Sequence, residues 1–439
     1  MSNIKSMMTR RDLLRGTIAG AGLIGLRSMA TGLPISFLLN PKIARADGSC
    51  AQINAAQFLI LSMSASGDAL NCNVPGTYDL PASFAAGTVN HSLDPTMAPT
   101  ALKLQGQAWT AAAPWASLPQ ATLDRTVFFH HRTGTANHGE QGRVLQLFGA
   151  LRRGQWLPSY LAKNLSQCFG TVQPQPVTLG SELLSYEGRY LPHLTPTGLK
   201  AVLSGPTGLP LQLQTLRDGT LNQLNTLFKQ NRSQTKAERN FLDELVISQT
   251  QLRGLVQQVS TDLAAINADD AANQVLAAAL LIKLNVTPLV TIHLPFSGDN
   301  HTDQNFMGES AQHVASVANI NLLMQKLQAY NLQDKVTFAT INVFGRQFET
   351  LNGRGHNSSH AVSVIIGKGF KGSVVGGILP GGHAADIDSG SGAASPSGDV
   401  SAADSLASLA KTLGVGMGMT EAQVNDQITT GKVIKPALV

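Results

Sequence analysis

The sequence predicts an α/β fold, in which a mostly parallel sheet carries helices on both faces. Five short apolar runs have the length of strands, and they lie at residues 57–63, 125–131, 288–294, 336–344 and 360–366. Segments with helical spacing of apolar residues separate several of these runs, and such alternation is typical of a parallel sheet whose strands are buried on both faces. With 439 residues, 43% of them hydrophobic and 13% charged, the chain can bury a large core.

The first 46 residues resemble an export signal. Residues 9–15, TRRDLLR, are similar to a twin-arginine motif, and the Gly- and Ala-rich stretch 16–39 follows it. Residues 44–46, ARA, supply small side chains at the −3 and −1 positions of a cleavage site. An uncleaved anchor is the alternative, but Arg27 and Pro34 interrupt the run of about 20 apolar residues that a spanning helix needs.

We therefore expect residues 1–46 to be a twin-arginine signal peptide that the twin-arginine translocase recognises. The mature protein is then expected to be periplasmic or secreted, with no stable membrane span. The leader also explains the net charge of +5, because it holds seven of the 32 basic residues and one of the 27 acidic ones. The rest of the chain has 25 basic and 26 acidic residues, so its net charge is −1 and nothing favours nucleic-acid binding.

Three cysteines, Cys50, Cys72 and Cys168, follow the predicted leader. An oxidising compartment permits one disulfide and one free thiol, and the sequence does not choose the pair. Their spacing is not that of a cysteine-ligated zinc site.

The chain places polar side chains after the apolar runs, in order along the sequence. Asp68 follows the first run after a Gly, although an Asp here could also simply cap a turn. His138 lies in the loop after the second run, and Asp299 and His301 follow the third. Arg346 comes after the fourth run, and His356 lies in the loop that leads to the fifth.

The helical elements predicted between these runs have simpler roles. Residues 142–151 follow His138 and have the pattern of a helix, and residues 242–263 show apolar spacing of three and four. The acidic pair at 269–270 precedes an Ala- and Leu-rich run, so a helical insertion is expected at about 211–283. Ser310 is expected to cap a helix that runs to about residue 330, and 404–413 to form a last short helix. The Gly-rich segment 367–377 is expected to be a hairpin or a sheet edge.

The polar residues after the apolar runs are expected to meet, because parallel strands bring their carboxyl ends to one edge of a sheet. Carboxylates and imidazoles gathered at such an edge suit a divalent ion, namely zinc, manganese or iron. Each residue alone has an ordinary explanation as a turn or loop residue, so the prediction rests on their convergence.

Four segments resemble the DUF1501 family, whose members are relatives of the alkaline phosphatase and sulfatase superfamily. SGDALNCNVPGTY at 66–78 is similar to the GG-x-DGLN-x-x-P-Y segment of that family, and GDNHTDQNF at 298–306 to its G-W-DTH-x-x-Q segment. VFGRQFETLNGRGHN at 343–357 and VSVIIGKGFKGSVVGG at 362–377 are similar to its EFGRTP…GRDHW…GGG-x-KGG stretch.

The resemblance implies that residues 47–439 form an alkaline phosphatase-like core with a metal-assisted hydrolase site. By matching positions, it implies that the metal ligands are Asp68, Asp299, His301 and His356. It implies that the catalytic residues are His138, which would lie nearby, and Arg346, which would orient an anionic group through its planar fork.

The chain departs from the family pattern at four positions. Gly355 replaces an Asp, Val343 a Glu, Asn137 a Ser and Ala69 a Gly. Two functions therefore stay open. The first is an exported metal-dependent hydrolase that acts on small anionic phosphate or sulfate esters. The alternative is a catalytically degenerate periplasmic or surface protein that keeps the fold and binds a ligand or partner.

Overall fold

A computed structural model of the protein describes residues 55–79, 89–204, 259–348 and 352–439, together with a few single positions between 219 and 227. Its centre is a seven-stranded sheet. The strands of this sheet are β1 (Phe58–Ser64), β4 (Thr126–His131), β5 (Val177–Thr178), β8 (Leu289–Ile292), β9 (Val336–Asn342), β12 (Ala361–Ile366) and β13 (Ser373–Val375). The other described strands form two-stranded sheets, and these are β2 (Pro99–Leu104), β3 (Gln107–Ala112), β6 (Ser185–Tyr186), β7 (Arg189–Tyr190), β10 (Gly345–Arg346), β11 (His356–Asn357), β14 (Ile378–Leu379) and β15 (His383–Ala384).

The order of the central sheet is β13-β4-β12-β9-β1-β8-β5. β1 pairs in parallel with both β8 and β9, β5 with β8, and β13 with β4. β12 is antiparallel to both of its neighbours, β4 and β9. Six strands therefore point the same way, which confirms the prediction of a mostly parallel sheet. Their carboxyl ends, and the amino end of β12, lie along one edge.

Helices cover both faces of this sheet. In chain order they are α1 (Ala113–Ala116), α2 (Gln120–Leu123), α3 (Gln141–Leu145), α4 (Leu157–Phe169), α5 (Pro196–Ser204), α6 (Ala271–Lys283), α7 (Met307–Ala329), α8 (Ser405–Gly416) and α9 (Glu421–Gln427). Successive strand residues face opposite sides. Ile60 and Phe338 accordingly pack in one core with α6 and α7, whereas Leu59 and Ala339 pack in the other with α4 and α8.

The strands form at the five apolar runs that the sequence indicated, because every residue of β1, β4, β8, β9 and β12 is buried. The Gly-rich segment 367–377 supplies the edge strand β13. Asp270 caps α6 as its sequence predicts, since its side chain accepts the N–H of Asn273. The prediction of a helix at 242–263 falls mostly outside the described residues. Where the description resumes, residues 259–265 are helical.

One further expectation meets a different outcome. Ser310 does not cap α7, because that helix begins three residues earlier, at Met307. The carboxylate of Asp303 takes the capping role instead and accepts the N–H groups of Gly308 and Glu309 at 2.9 and 2.7 Å.

Residues 1–46 lie outside the described part of the chain. Within that part, every helix is too short or too polar to cross a membrane.

Candidate metal centre

The edge of the sheet where the six strand ends meet brings four side chains together. His138 follows β4, Asp299 and His301 follow β8, and His356 lies on β11. The ligand atoms of these four residues all lie within 4.8 Å of one another. The prediction that polar residues far apart in the sequence converge at this edge is therefore confirmed for these four, which we call the quartet.

Asp299 lies at the centre of the quartet. Its Oδ1 is 3.1 Å from Nε2 of His301 and 3.6 Å from Nε2 of His356, and its Oδ2 is 3.6 Å from Nε2 of His138. The Nε2 atoms of His301 and His356 are 2.8 Å apart. Each histidine therefore presents the same ring nitrogen to the space around one carboxylate.

Backbone carbonyl groups fix the tautomers of two of these rings. Nδ1 of His138 lies 2.6 Å from the carbonyl oxygen of Ala65, and Nδ1 of His356 lies 2.6 Å from that of Ala136. A carbonyl oxygen only accepts, so Nδ1 carries the proton in both neutral rings and Nε2 keeps its lone pair. This is the arrangement of a metal-ligating histidine, whose second nitrogen donates to a carbonyl or carboxylate.

The electrostatics at Asp299 and His356 favour the deprotonated forms that bind metal. Burial acts to raise the pKa of Asp299, but the hydrogen bond and charge of Arg346, with the neighbouring imidazoles, lower it below its usual value. Partial burial lowers the pKa of His356, and the charge of Arg346 lowers it further, against the Ala136 hydrogen bond. One carboxylate and three neutral imidazoles form a donor set that fits zinc, manganese or iron.

The quartet is open to solvent on one side. The side chains of Asp299 and His301 are 48% and 47% exposed, and that of His138 is 40% exposed. A structural zinc site is normally closed, whereas a catalytic one keeps a position for water or substrate. In its exposure, the quartet resembles a catalytic site.

Arg346 acts on the quartet from beneath and has no exposed surface. Its Nη2 lies 2.8 Å from Oδ1 of Asp299. Its other bonds go to backbone carbonyls, which belong to Ser66, Gly67, Gly298 and Arg354. The expectation that Arg346 orients a substrate anion is therefore corrected, because a buried and fully bonded guanidinium positions Asp299 instead of contacting a substrate.

Asp68 is the predicted ligand that the structure does not bring into the quartet. It is 1% exposed, and its Oδ1 accepts the N–H of Gly298 at 2.8 Å. Its Oδ2 is buried without a hydrogen-bond partner, and burial raises the pKa of its carboxyl group although His293 nearby lowers it. Asp68 therefore lies beneath the loop that carries Asp299 and anchors that loop through the N–H of Gly298. Gly67 permits this turn, because its φ is +67° and a Cβ there would overlap the Phe344 ring.

A buried ion pair near the quartet was missed by the sequence analysis. Arg354 and Glu309 are both fully buried, and Nε of Arg354 lies 2.6 Å from Oε2 of Glu309. The same carboxylate accepts the side-chain N–H of Asn300 at 2.9 Å, and the guanidinium lies 4.0 Å from the Phe306 ring centroid. Because Asn300 stands between Asp299 and His301, this pair fixes the segment that carries two of the four ligands. An acid in the first turn of a helix gives no sequence signal of such a role.

A chain of buried histidines was missed as well. Nδ1 of His130 lies 2.9 Å from Nε2 of His360, whose Nδ1 lies 3.4 Å from Nδ2 of Asn71. The Asn71 amide in turn binds the backbone N–H and carbonyl of Arg346. Both histidines are fully buried. The chain therefore links the interior of the sheet to the residue that positions Asp299.

Gly355, Val343 and Asn137, which the sequence analysis singled out, have ordinary structural surroundings. A Cβ at Gly355 would overlap the end of the Gln347 side chain, so the Gln347 amide fills the space beside this glycine. Val343 is 1% exposed and belongs to the apolar core. The side chain of Asn137 accepts the N–H of Gly139, as a turn residue does.

Comparison with known proteins does not extend this description. A scan against protein-family models gives no match, and a search of curated proteins gives none either.

Proposed function

We propose that the protein is a metal-dependent hydrolase that acts on phosphate or sulfate esters. The observation that carries the proposal is the quartet, in which three imidazole Nε2 atoms and one carboxylate converge at the carboxyl edge of an α/β sheet. Two of those imidazoles already have the tautomer that a metal ligand needs.

The four residues of the quartet would hold one divalent ion. When bound, such an ion polarises a phosphoryl or sulfuryl oxygen and makes water a stronger acid. Arg346 keeps Asp299 charged and oriented, while the carbonyls of Ala65 and Ala136 orient His138 and His356. The exposed side of the quartet leaves room for an anionic group to approach. The resemblance implied a catalytic role for His138, but in this proposal His138 is one of the four metal ligands.

Export by the twin-arginine pathway belongs to the same proposal. The TRRDLLR motif at residues 9–15 supports it. Cys168 is disulfide-bonded and Cys72 is a buried free thiol, and a structural disulfide is typical of an oxidising compartment. Together these features favour a periplasmic or secreted protein. The resemblance to DUF1501 proteins and to the alkaline phosphatase core rests on the sequence motifs quoted above.

The test is to measure metal content and ester hydrolysis together. Folded protein is loaded with zinc, manganese or iron, dialysed, and assayed for metal by elemental analysis and for hydrolysis of aryl phosphates and aryl sulfates. We expect one ion per chain and ester hydrolysis, both lost in His301→Ala. The matched control is His193→Ala, which removes an exposed imidazole outside the quartet. Protein that stays metal-free under loading and hydrolyses no ester would overturn the proposal.

One observation favours the second candidate, a catalytically degenerate binding protein with the same fold. Gln347 occupies the space of the side chain that Gly355 lacks, so the Asp that the resembled pattern has at position 355 is absent and Gln347 fills its space. The pair Gly355→Asp with Gln347→Ala makes room for that carboxylate. If this double variant gains ester hydrolysis that the natural chain lacks while metal content is retained, the degenerate reading is correct.

A further inference from the structure

A cleft of about 210 Å³ opens beside the quartet and shares one residue with it. His356 belongs to both, so a group bound in the cleft lies next to any ion that the quartet holds. The volume is below the roughly 300 Å³ at which pockets for drug-sized ligands begin, so the cleft admits one small group.

The cleft is a defined feature of the backbone. One wall is the strand pair β10–β11, and the other is the hairpin β14–β15. The side chain of Asn357 ties the walls together, because its Nδ2 donates to the carbonyl of Gly382 at 3.1 Å. Its Oδ1 accepts the N–H of Ser359, on its own wall, at 2.8 Å. Gly382 has a φ of +76°, and a Cβ there would press on the Phe348 ring, so the hairpin turn fits closely against the opposite wall.

Most of the described side chains that line the cleft are polar, and apart from imidazole none of them carries an ionisable group. They include Gln347, Ser358, Ser359 and His383, together with the ring of Phe348, and none is Asp, Glu, Lys or Arg. A charged group that entered here would lose water without gaining an opposite charge, which is costly. The cleft is therefore suited to a neutral group.

The same residues offer donors and acceptors to such a group. The hydroxyls of Ser358 and Ser359 each carry one donor and two acceptor sites, and the Gln347 amide carries both functions. An alcohol hydroxyl likewise donates and accepts at once, so a group with several hydroxyls matches this lining. A purely aliphatic group would leave the serine and amide groups without partners once water is displaced.

We propose that this cleft binds the alcohol portion of the ester as a small, neutral, hydroxyl-bearing group, such as a polyol or a single sugar. The inference rests on the proposed hydrolase function, because it assigns the cleft to the half of the substrate that leaves. The anionic half then faces the quartet, and the polyol half lies between β11 and the β14–β15 hairpin.

The test compares esters that share one anion and differ in the alcohol. Metal-loaded full-length protein is assayed with the glycerol, choline and p-nitrophenol esters, using phosphate or sulfate according to which the protein hydrolyses. The double variant Ser358→Ala with His383→Ala removes polar lining and leaves Asn357 and its bond to Gly382 intact. We expect kcat/KM for the glycerol ester, relative to that for the p-nitrophenol ester, to fall about tenfold in this variant. Ser397→Ala, an exposed serine outside the cleft, serves as the control and leaves the ratio unchanged.

The outcomes separate the two proposals. Hydrolysis of the p-nitrophenol ester with a ratio that the double variant does not move, or with a preference for the cationic choline ester, overturns the cleft assignment and leaves the hydrolase standing. If no ester is hydrolysed, the hydrolase fails, and glycerol binding is then measured by NMR shift changes. Glycerol binding that the double variant weakens supports the cleft, and absent or unchanged binding overturns it.

Discussion

Two groups of histidines lie at the same end of the same sheet, and they differ in what their ring nitrogens contact. His130 and His360 are fully buried, and both nitrogens of each ring have a partner in the protein. His138 and His356, in the quartet, use Nδ1 for a backbone carbonyl, and their Nε2 atoms each lie 3.6 Å from Asp299. Nε2 of His356 also lies 2.8 Å from Nε2 of His301. Each buried histidine lies close in sequence to a quartet histidine, since His130 precedes His138 and His360 follows His356.

The difference shows why one group can bind metal and the other stabilises the fold. Nε2 of His130 donates to the carbonyl of Pro75, so its Nδ1 accepts from Nε2 of His360, whose Nδ1 accepts from the Asn71 amide. Every lone pair and every proton in this chain is used, and none remains for a ligand. The quartet's Nε2 atoms instead contact Asp299 and, for His301 and His356, each other, and the quartet is also partly exposed. Of the two groups, therefore, only the quartet could hold a metal ion.

The largest expected effect is the loss of stability in His360→Ala, which contrasts with the effect of changing His356, four residues earlier. His360→Ala removes a buried ring and leaves the Asn71 amide and His130 without their partners. We expect it to lower the free energy of unfolding by about 3–5 kcal/mol, as for other large buried rings, measured by urea titration of the metal-free protein. Metal stoichiometry of the folded fraction should stay at one. A folded His360→Ala protein that has lost its metal and kept its stability would reverse the comparison.

His356→Ala is expected to weaken metal binding and to leave stability nearly unchanged. It removes one of four ligands, so metal affinity should fall by more than about a hundredfold, which exceeds the usual cost of changing a group that only orients a ligand. Competition with a chromophoric chelator measures this affinity. Because the His356 ring is partly exposed and makes one backbone hydrogen bond, the metal-free protein should lose no more than about 1 kcal/mol of stability. Unchanged affinity would remove His356 from the quartet.

The sequence anticipated the architecture better than the details of the site. The strands formed where continuous apolar runs predicted them, and the convergence of His138, Asp299, His301 and His356 followed from the direction of the strands. The roles of Asp68 and Arg346 did not follow, because burial decides them and two residues of the same type look alike in a sequence. Backbone carbonyls such as those of Ala65 and Ala136 select the histidine tautomers, and a carbonyl leaves no sequence signal.

The smallest expected effect concerns pH and again separates the two groups. Burial lowers the pKa of His130 to about 4, from an ordinary value of 6.5. Between these values the unfolded chain binds a proton that the folded chain does not, so stability is lost as pH falls from 6.5 toward 4. In the presence of a chelator, each such ring adds about 1.4 kcal/mol per pH unit to the slope of stability against pH.

His130→Gln should therefore reduce that slope by about one proton when urea titrations are compared across this pH range. Leu165→Ala is the matched control, because it truncates a buried side chain without removing a titrating group and should lower stability at every pH equally. If His130→Gln shifts the whole curve and leaves its slope unchanged, the ring titrates in the folded protein much as it does in the unfolded one. His130 would then take up a proton in the folded protein, and the nitrogens of the buried histidines would not all be used as described. The distinction between the buried histidines and the quartet would no longer hold.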